Sequence, residues 1–264
     1  MKIVVMAPAG KMGKLITQEA LKRRREFMIV GGVVPEGRPY IRQDMGKATG
    51  TGFVGATIYD NLEYIIPIAE GVIDFSTVEA SMHNLKICVE YGRPLVLGTT
   101  GFDENDLAKI EHAAKKIPIL LAANTSKSVN LMYELSKTAT KVLGKESDIE
   151  IIEMHDREKL DAPSGTAMEL GAVVASELGK DIKNIADYGR SGKREEGHIG
   201  YHSVRAGDIS STHTILFGMI GERLEITHHA YDWNTYAKGA LEGMLFLQGK
   251  EAGIYTFRDV LGFE

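Results

Sequence analysis

The chain has 264 residues, 44% hydrophobic and 25% charged, enough for one large domain or two modest ones with hydrophobic cores. Its formal net charge of -5 and sequence pI of about 5.9 argue against a nucleic-acid partner. Cys88 is the only cysteine, which excludes an internal disulfide and indicates a reducing compartment.

Targeting and membrane signals are weak. No apolar run approaches the ~20 residues of a membrane-spanning helix, and the apolar start, Met1 to Met6, is too short for a signal peptide. The basic run Lys22 to Arg25 follows an apolar-periodic segment, as cations do in the last turn of a helix. We therefore expect a soluble, cytoplasmic protein with no membrane or nucleic-acid partner.

Strand and helix patterns alternate through the first half of the chain. Apolar runs predict strands at 2–6, 27–34, 58–59, 72–76, 94–97 and 117–122, and helical periodicity predicts helices at 12–21, 62–69, 80–91, 104–116 and 130–143. The Gly- and Thr-rich segment 46–55 is predicted to be a loop. Such alternation indicates an α/β fold with a doubly wound parallel sheet.

The turn after the first predicted strand has the pattern A-x-x-G-x-x-G, formed by Ala7, Gly10 and Gly13. Gly10 would allow a pyrophosphate to approach the backbone, and Gly13 would allow a helix to pack closely on the strand. A tight turn without any ligand explains the same residues. The motif alone therefore leaves nucleotide binding open.

Polar turns follow other predicted strands. Glu36 and Arg38 come after the second strand, where an acidic side chain holds a ribose and an arginine favours a 2′-phosphate, so the choice of cofactor stays open. Small polar turns also occur at Gly98–Gly101 and Ala123–Ser126. Ordinary turn chemistry accounts for each one, but their recurrence at one sheet edge favours a cofactor.

The most informative segment runs from Ser147 to Leu170. A half-buried strand pattern leads into a polar segment with His155 and Lys159, after which Ser164 begins a helix of small and apolar residues. A helix N-terminus beside a lysine and a histidine suits a small anion and proton transfer. A strand, a solvated loop and a helix capped by Ser164 is the alternative without a ligand.

The last third changes to a β pattern. A polar, Gly-rich segment at 182–197 is predicted to be a mobile loop, and strands at 199–205, 212–217 and 224–230 precede a helix at 235–247. This order predicts a smaller α+β domain with an antiparallel or mixed sheet, and a final helix that returns to the first domain. The histidines of this region lack metal-site spacing and a cysteine partner, so no metal is predicted: His198, His202, His213, His228 and His229.

Several motifs, taken together and in order, resemble the 4-hydroxy-tetrahydrodipicolinate (dihydrodipicolinate) reductases of lysine and diaminopimelate biosynthesis. The most specific is E-x-H-x-x-x-K-x-D-x-P-S-G-T-A, from Glu153 to Ala167. The similarity spans essentially the whole chain, with further matching segments at 10–13, 97–102, 124–130, 204–209, 221–228 and 255–262.

The resemblance implies a homotetramer whose subunits have a Rossmann domain, 1–126 with 235–264, and a substrate and oligomerisation domain, 127–234. It implies reduction of a cyclic dicarboxylate by NADH or NADPH with loss of water. His155 would donate or accept the proton, Lys159 would be the second proton donor, and the substrate would contact Asp156, Ser164, Gly165 and Thr166. The cofactor would be lined by Ala7, Pro8, Ala9, Gly10, Lys11, Met12, Glu36, Arg38, Gly98, Thr99, Thr100, Ala122, Ala123, Asn124 and Thr125.

The sequence departs from the family pattern at particular positions. Asp156 replaces a second histidine, and Ala7 replaces the first glycine of the phosphate turn. Pro35 stands where an acidic residue is expected, Ser128 replaces another glycine, and Trp233 replaces a frequent arginine. Two alternatives follow: a relative that acts on another amino or imino acid, with Asp156 binding an ammonium group, or a non-catalytic homologue with weakened cofactor binding.

Overall fold

Two β-sheets organise this structure, a computed structural model in which residues 1–263 are described. One compact unit comprises Met1–Lys127 with the C-terminal segment from Trp233, and the other comprises Ser128–Asp232. Separate functions for domains 1–126 with 235–264 and 127–234 remain a prediction, and Glu264 lies outside the described residues.

The strands and helices of both units are numbered in chain order. The strands are β1 Lys2–Met6, β2 Met28–Val33, β3 Thr57–Tyr59, β4 Gly71–Asp74, β5 Leu95–Leu97, β6 Pro118–Leu121, β7 Asp148–His155, β8 Ala186–Tyr188, β9 Ile199–Arg205, β10 Ser211–Gly218, β11 Arg223–Ala230 and β12 Gly253–Tyr255. The helices are α1 Lys11–Lys22, α2 Met45–Thr49, α3 Val78–Glu90, α4 Glu104–Ala114, α5 Lys127–Leu143, α6 Gly165–Glu177, α7 Ile182–Ile185, α8 Asn234–Leu247 and α9 Phe257–Val260. Among the described residues, none of these helices has both the length and the apolarity to cross a membrane.

The sheet of the first unit is parallel throughout, in the order β12-β6-β5-β4-β1-β2-β3. Successive side chains of a strand point to opposite faces. Ile3 and Val5 therefore enter the core beneath α1 and α8, and Val4 and Met6 enter the core beneath α3 and α4. This confirms the prediction of a doubly wound α/β fold. The first six strands lie in the order β3-β2-β1-β4-β5-β6, which is the order of dinucleotide-binding sheets.

Helix α8 returns to the first unit, as predicted, and packs on β4, β5 and β6. Its small residues make this close approach possible. A Cβ atom at Gly239 would lie 1.7 Å from the Thr125 carbonyl oxygen, and one at Gly243 would lie 2.2 Å from Leu120 Cδ2. Larger side chains at these positions would push the helix off the sheet.

The second unit contains a mixed sheet in the order β11-β10-β7-β9-β8. Strand β7 pairs antiparallel with β10 and parallel with β9. Ile149 and Ile151 of β7 pack against Leu170 and Val174 of α6 in one apolar cluster. The predicted α+β unit is confirmed, but β9 and β10 are not neighbours, since β7 lies between them.

Local predictions were wrong at several places. Residues 62–69 form two short 3₁₀ turns, Leu62–Tyr64 and Ile66–Ile68, instead of one helix. The predicted loop 46–55 overlaps α2, because the Asp44 carboxylate accepts hydrogen bonds from Gly46, Val54 and Gly55. The predicted mobile loop 182–197 contains α7 and β8, and β12 was not predicted at all.

Candidate active site

His155 is buried at the C-terminal end of β7. Residues two apart share one face of a strand, so Glu153 lies beside it, with Glu153 Oε2 2.6 Å from His155 Nδ1. In the cross-strand register Glu153 is opposite Ser203 of β9 and His213 of β10, while His155 is opposite Arg205 of β9. Strand pairing thus gathers titratable side chains from three strands around His155.

Arg205 holds the Glu153 carboxylate with both ends of its guanidinium group. Nη1 donates to Oε2 at 2.8 Å, and Nη2 donates to Oε1 at 2.7 Å. Burial alone would raise the pKa of Glu153, but hydrogen bonds from Arg205, Ser203 and His155 outweigh burial and lower this pKa to about 2. Glu153 is therefore an ionised carboxylate inside the protein.

The protonation of His155 is balanced between opposing effects. Burial lowers its pKa below the ordinary value of 6.5, whereas the hydrogen bond and the negative charge of Glu153 raise it. The positive charges of Lys159 and Arg205 lower it again. The net direction is downward, so the ring is mainly neutral near pH 7 and can exchange a proton with a bound molecule.

Helix α6 begins close to this cluster. Ser164 Oγ accepts a hydrogen bond from Ala167 N at 3.3 Å and lies 2.9 Å from His213 Nε2, and Ser164 N donates to Glu153 Oε1 at 3.3 Å. The first turn contains no acidic residue, and a Cβ atom at Gly165 would meet nothing within 4 Å. A carboxylate group can therefore approach the positive end of the helix dipole at Gly165.

Lys159 and Asp156 lie in the loop between β7 and α6. Lys159 Nζ is 2.8 Å from Asp161 Oδ1, in a pair whose side chains are 25% and 62% exposed. Arg205 Nη2 also donates to the Asp161 carbonyl oxygen at 2.6 Å, which ties the loop to β9. Asp156 Oδ1 accepts from Glu158 N at 2.9 Å, so this oxygen stabilises the turn of its own loop.

The turn between β1 and α1 has a shape that fits a dinucleotide. Ala7 has a φ of 47°, its N–H donates to Val33 O at 2.8 Å, and its carbonyl accepts from Gly10 N at 2.9 Å. Gly10, the N-cap of α1, gives the first turn no side-chain hydrogen bond. A Cβ atom at Gly13 would lie 2.2 Å from Ala7 O, so glycine is needed for α1 to approach β1 this closely.

The predicted cofactor residues after β5 and β6 lie at the same edge of the sheet, since the strands are parallel. Thr100 and Ala123 are exposed there. Thr99 and Thr125 are buried and have partners inside the fold: Thr99 Oγ1 is 2.8 Å from Ser81 Oγ, and Thr125 Oγ1 donates to Tyr236 O at 2.7 Å. Each of these hydroxyl groups therefore already makes a hydrogen bond within the fold.

Glu36 and Arg38 are both exposed in the turn after β2, where Gly37 has a φ of 80°. Because β2 is the neighbour of β1, this turn lies beside the phosphate turn at the carboxyl edge of the sheet. Either side chain can therefore approach the ribose end of a dinucleotide.

Trp233, which replaces the frequent arginine, contacts the phosphate turn from the start of α8. The ammonium group of Lys11 lies 3.3 Å from the centre of its ring. A cation over the face of an indole ring is attracted by the ring quadrupole. The departure at Trp233 therefore adds a cation–π contact to the first residue of α1.

Sequence reasoning assigned no role to Arg205, His213 or the carboxylate of Glu153. The spacing of Glu153 and His155 was a usable signal, because residues i and i+2 share a face of a strand. Arg205 and His213 could not be placed without knowing which strands flank β7. Among the described residues, no cluster of three or more His, Cys, Asp or Glu side chains could hold a metal ion.

A parallel sheet of dinucleotide-binding order, together with a cluster of acid/base side chains in a second unit, is typical of nicotinamide-dependent oxidoreductases. The family model described as the N-terminus of dihydrodipicolinate reductase matches residues 1–125, and the model of its C-terminus matches residues 128–261. The chain therefore belongs to the dihydrodipicolinate reductase family. It is an oxidoreductase of lysine and diaminopimelate biosynthesis that uses NADH or NADPH.

Curated relatives agree with this assignment. Two proteins from strains of Pseudomonas fluorescens, both called 4-hydroxy-tetrahydrodipicolinate reductase, are 43% and 42% identical over 263 residues, with 98% of each chain covered. A dipicolinate-bound dihydrodipicolinate reductase from Paenisporosarcina sp. TG-14 has the same fold, with a TM-score of 0.77, 21% identity and 97% of both chains covered. An amine dehydrogenase from Mycobacterium smegmatis is more distant, with a TM-score of 0.61, 12% identity and coverage of 97% and 95%.

Proposed function

We propose that this chain reduces 4-hydroxy-tetrahydrodipicolinate, with loss of its 4-hydroxyl group as water, and that His155 and Lys159 are the proton donors. The observation that carries the assignment of residues is the junction of β7 and α6. There an acid/base histidine, a lysine and an open helix N-terminus come from one continuous segment. A dicarboxylate that must gain a proton needs all three.

The residue roles follow from these contacts. Ser164, Gly165 and Thr166 would hold one substrate carboxylate at the first turn of α6. Lys159 would leave Asp161 to meet the substrate, at little cost because exposed ion pairs contribute only about 0–1 kcal/mol. His155 would supply the proton that accompanies reduction. The reduced nicotinamide, when bound, supplies the hydride.

The cofactor would bind along the carboxyl edge of the first sheet. Residues 7–12 would hold the pyrophosphate, Glu36 or Arg38 would meet the ribose, and the turns 98–100 and 122–125 would line the remainder. The uncapped start of α1 and the close packing at Gly13 support this assignment. Binding can be followed by titrating NADH and NADPH against the emission of Trp233, the only tryptophan.

We also propose a homotetramer in the cytoplasm. The mixed sheet is covered by α6 on one face, and its other face carries partly exposed apolar side chains, including Ile152, Leu216 and Val204, the last 38% exposed. Apolar side chains exposed on a strand suit an interface between subunits. Sedimentation of the wild type should give four subunits, and Val204→Lys should reduce that number. Cys88, free and buried, suits a reducing compartment.

The test of the activity is oxidation of NADH and NADPH with enzymatically generated substrate. Wild type should turn over with at least one cofactor, and His155→Asn and Lys159→Met should each lower kcat by about a hundredfold or more. Lys145→Met, at an exposed position before β7, is the matched control. Wild type that binds cofactor but leaves this substrate unchanged would overturn the proposed reaction.

A further inference from the structure

The carboxylate of Glu153 connects the two parts of the proposed substrate site. Its Oε2 lies 2.6 Å from His155 Nδ1, and its Oε1 accepts from Ser164 N at 3.3 Å. Glu153 is only 1% exposed, and the two carboxylate oxygens are its only hydrogen-bonding groups on the side chain. One rigid carboxylate therefore holds both the proton-transfer ring and the start of the anion-binding helix.

The contact with Glu153 decides which nitrogen of His155 carries the proton in the neutral ring. An ionised carboxylate has only acceptor oxygens, so Nδ1 must donate across the 2.6 Å contact. This leaves Nε2 as the nitrogen that exchanges a proton with a bound molecule. The opposite tautomer would place two acceptors against each other.

Arg205 keeps Glu153 in this role. With no cation beside it, a buried carboxylate would take a proton or would stabilise a permanent imidazolium at His155. The two hydrogen bonds from Arg205, at 2.7 and 2.8 Å, neutralise the charge while leaving Oε2 able to accept from Nδ1. The charged groups that face His155 are Glu153 on its own strand, Arg205 on β9 and Lys159 in the following loop.

His213 on β10 completes the cluster without adding charge. Its ring meets the His155 ring edge-on, with centroids 5.2 Å apart, and its Nε2 lies 2.9 Å from Ser164 Oγ. Burial and the neighbouring His155 lower the pKa of His213 to about 3, so it is neutral in the working range of pH. It therefore fixes the Ser164 hydroxyl and one side of the His155 ring.

We propose that Glu153 and Arg205 are positioning residues for the reduction: together they hold His155 with Nδ1 protonated, direct proton transfer through Nε2, and set the pH at which His155 loses its acidic proton. This inference rests on the proposed role of His155 as proton donor. Loss of the Glu153 charge and loss of the Arg205 charge should therefore shift the titration of His155 in opposite directions. The charge of Glu153 favours the imidazolium, and the charge of Arg205 disfavours it.

The first test is the pH profile of kcat/KM, which reports ionisations of the free enzyme. Activity that needs protonated His155 falls as pH rises through its pKa. Glu153→Gln should lower kcat/KM by about 10- to 100-fold and move this fall to lower pH by about one unit. Arg205→Met should move the fall to higher pH. Arg205→Lys retains the charge and should leave the fall near its wild-type position.

A second measurement does not depend on turnover. The Cε1 proton resonance of His155, identified by its absence in His155→Asn, should titrate with the same opposite shifts in Glu153→Gln and Arg205→Met. Glu146→Gln, which removes an exposed carboxylate just before β7, is the matched control and should titrate like the wild type. Circular dichroism and NADH binding identify any variant that has failed to fold; Arg205→Gln, which also removes the charge, then replaces Arg205→Met.

The outcomes separate this proposal from the proposed reaction. Wild-type rates and profiles in Glu153→Gln would overturn the positioning role while leaving the reaction in place. A lower rate with no movement of either titration would also overturn it, since simple loss of packing has that effect. Wild type inactive towards the substrate would overturn the reaction, and the resonance titration would still decide the Glu153–Arg205 relationship.

Discussion

The ammonium group of Lys11 lies 3.3 Å from the centre of the Trp233 ring, so the first residue of α1 is joined to the N-cap residue of α8. These residues are far apart in the chain but belong to the same compact unit. Trp233 also lies 5.3 Å from the Tyr236 ring. The contact connects the phosphate turn to the helix that packs behind the sheet.

This cation–π pair should contribute to stability. In a double-mutant cycle of Lys11→Met and Trp233→Ala, we expect a coupling of about 0.5–1 kcal/mol in the free energy of unfolding. Urea denaturation measures it. Lys14→Met, an exposed lysine one turn further along α1, should show no coupling with Trp233→Ala. Additive effects of Lys11→Met and Trp233→Ala would show that the stacked pair contributes nothing.

Replacement by alanine of two glycines near helix starts should change the free energy of unfolding in opposite directions. In Gly13→Ala the new Cβ would lie 2.2 Å from Ala7 O and 2.7 Å from Pro8 Cα, so the free energy of unfolding should fall by about 1–3 kcal/mol. In Gly165→Ala the new Cβ meets nothing within 4 Å. Because alanine is a better helix former than glycine, the free energy of unfolding should rise by up to about 1 kcal/mol. Thermal unfolding of both variants decides the matter; a stable Gly13→Ala would contradict the close packing of α1 on β1.

Asp156 should weaken binding of a dianionic substrate by repulsion. Asp156→Asn keeps an oxygen that can accept from Glu158 N and removes the charge, so KM should fall severalfold, on the scale of about 1 kcal/mol for one charge near the surface. The value of kcat should stay nearly constant. Steady-state kinetics at low and high salt test this, and Asp156→His should show a change in the same direction. A KM that rises in both variants would favour recognition of a substrate ammonium group.

His213 should make the protein less stable in mild acid. Its pKa is lowered to about 3 in the folded protein against 6.5 in the unfolded chain, so only the unfolded state binds its proton between these values. Stability is unaffected above pH 6.5 and decreases as pH falls below it, by about 1–2 kcal/mol at pH 5. His155 and His228, whose pKa values are also lowered, act in the same direction.

Urea unfolding at several pH values between 7 and 5 measures this dependence. His213→Asn should flatten it, whereas His83→Asn, at an exposed position of α3, should keep the wild-type dependence. Glu153 has a separate window: its pKa of about 2 stabilises the fold above pH 4.5, and that contribution is lost as pH falls from 4.5 towards 2. An unchanged dependence in His213→Asn would mean that His213 is not the group responsible.

The elements that sequence reasoning placed well are those with strong local patterns. Apolar runs identified β1, β2, β4, β5 and β6, and Ser164 marked the start of α6. The errors fall where distant contacts decide the structure. The Asp44 carboxylate at the start of α2 accepts hydrogen bonds from Val54 and Gly55 further along the chain. The segment after α6 is held by Arg190 and Arg194 against Glu150 of β7. Periodicity carries no information about such contacts.

The sequence by itself determined the α/β class, the family and the location of the candidate site in the segment from His155 to Thr166, because these depend on residues close together in the chain. Tertiary structure alone decided that β7 lies between β9 and β10. That register brings Arg205 and His213 to Glu153 and His155, across roughly 50 residues of chain. Side-chain hydrogen bonds of this range exist only after the strands have paired, and they set the proton chemistry of His155.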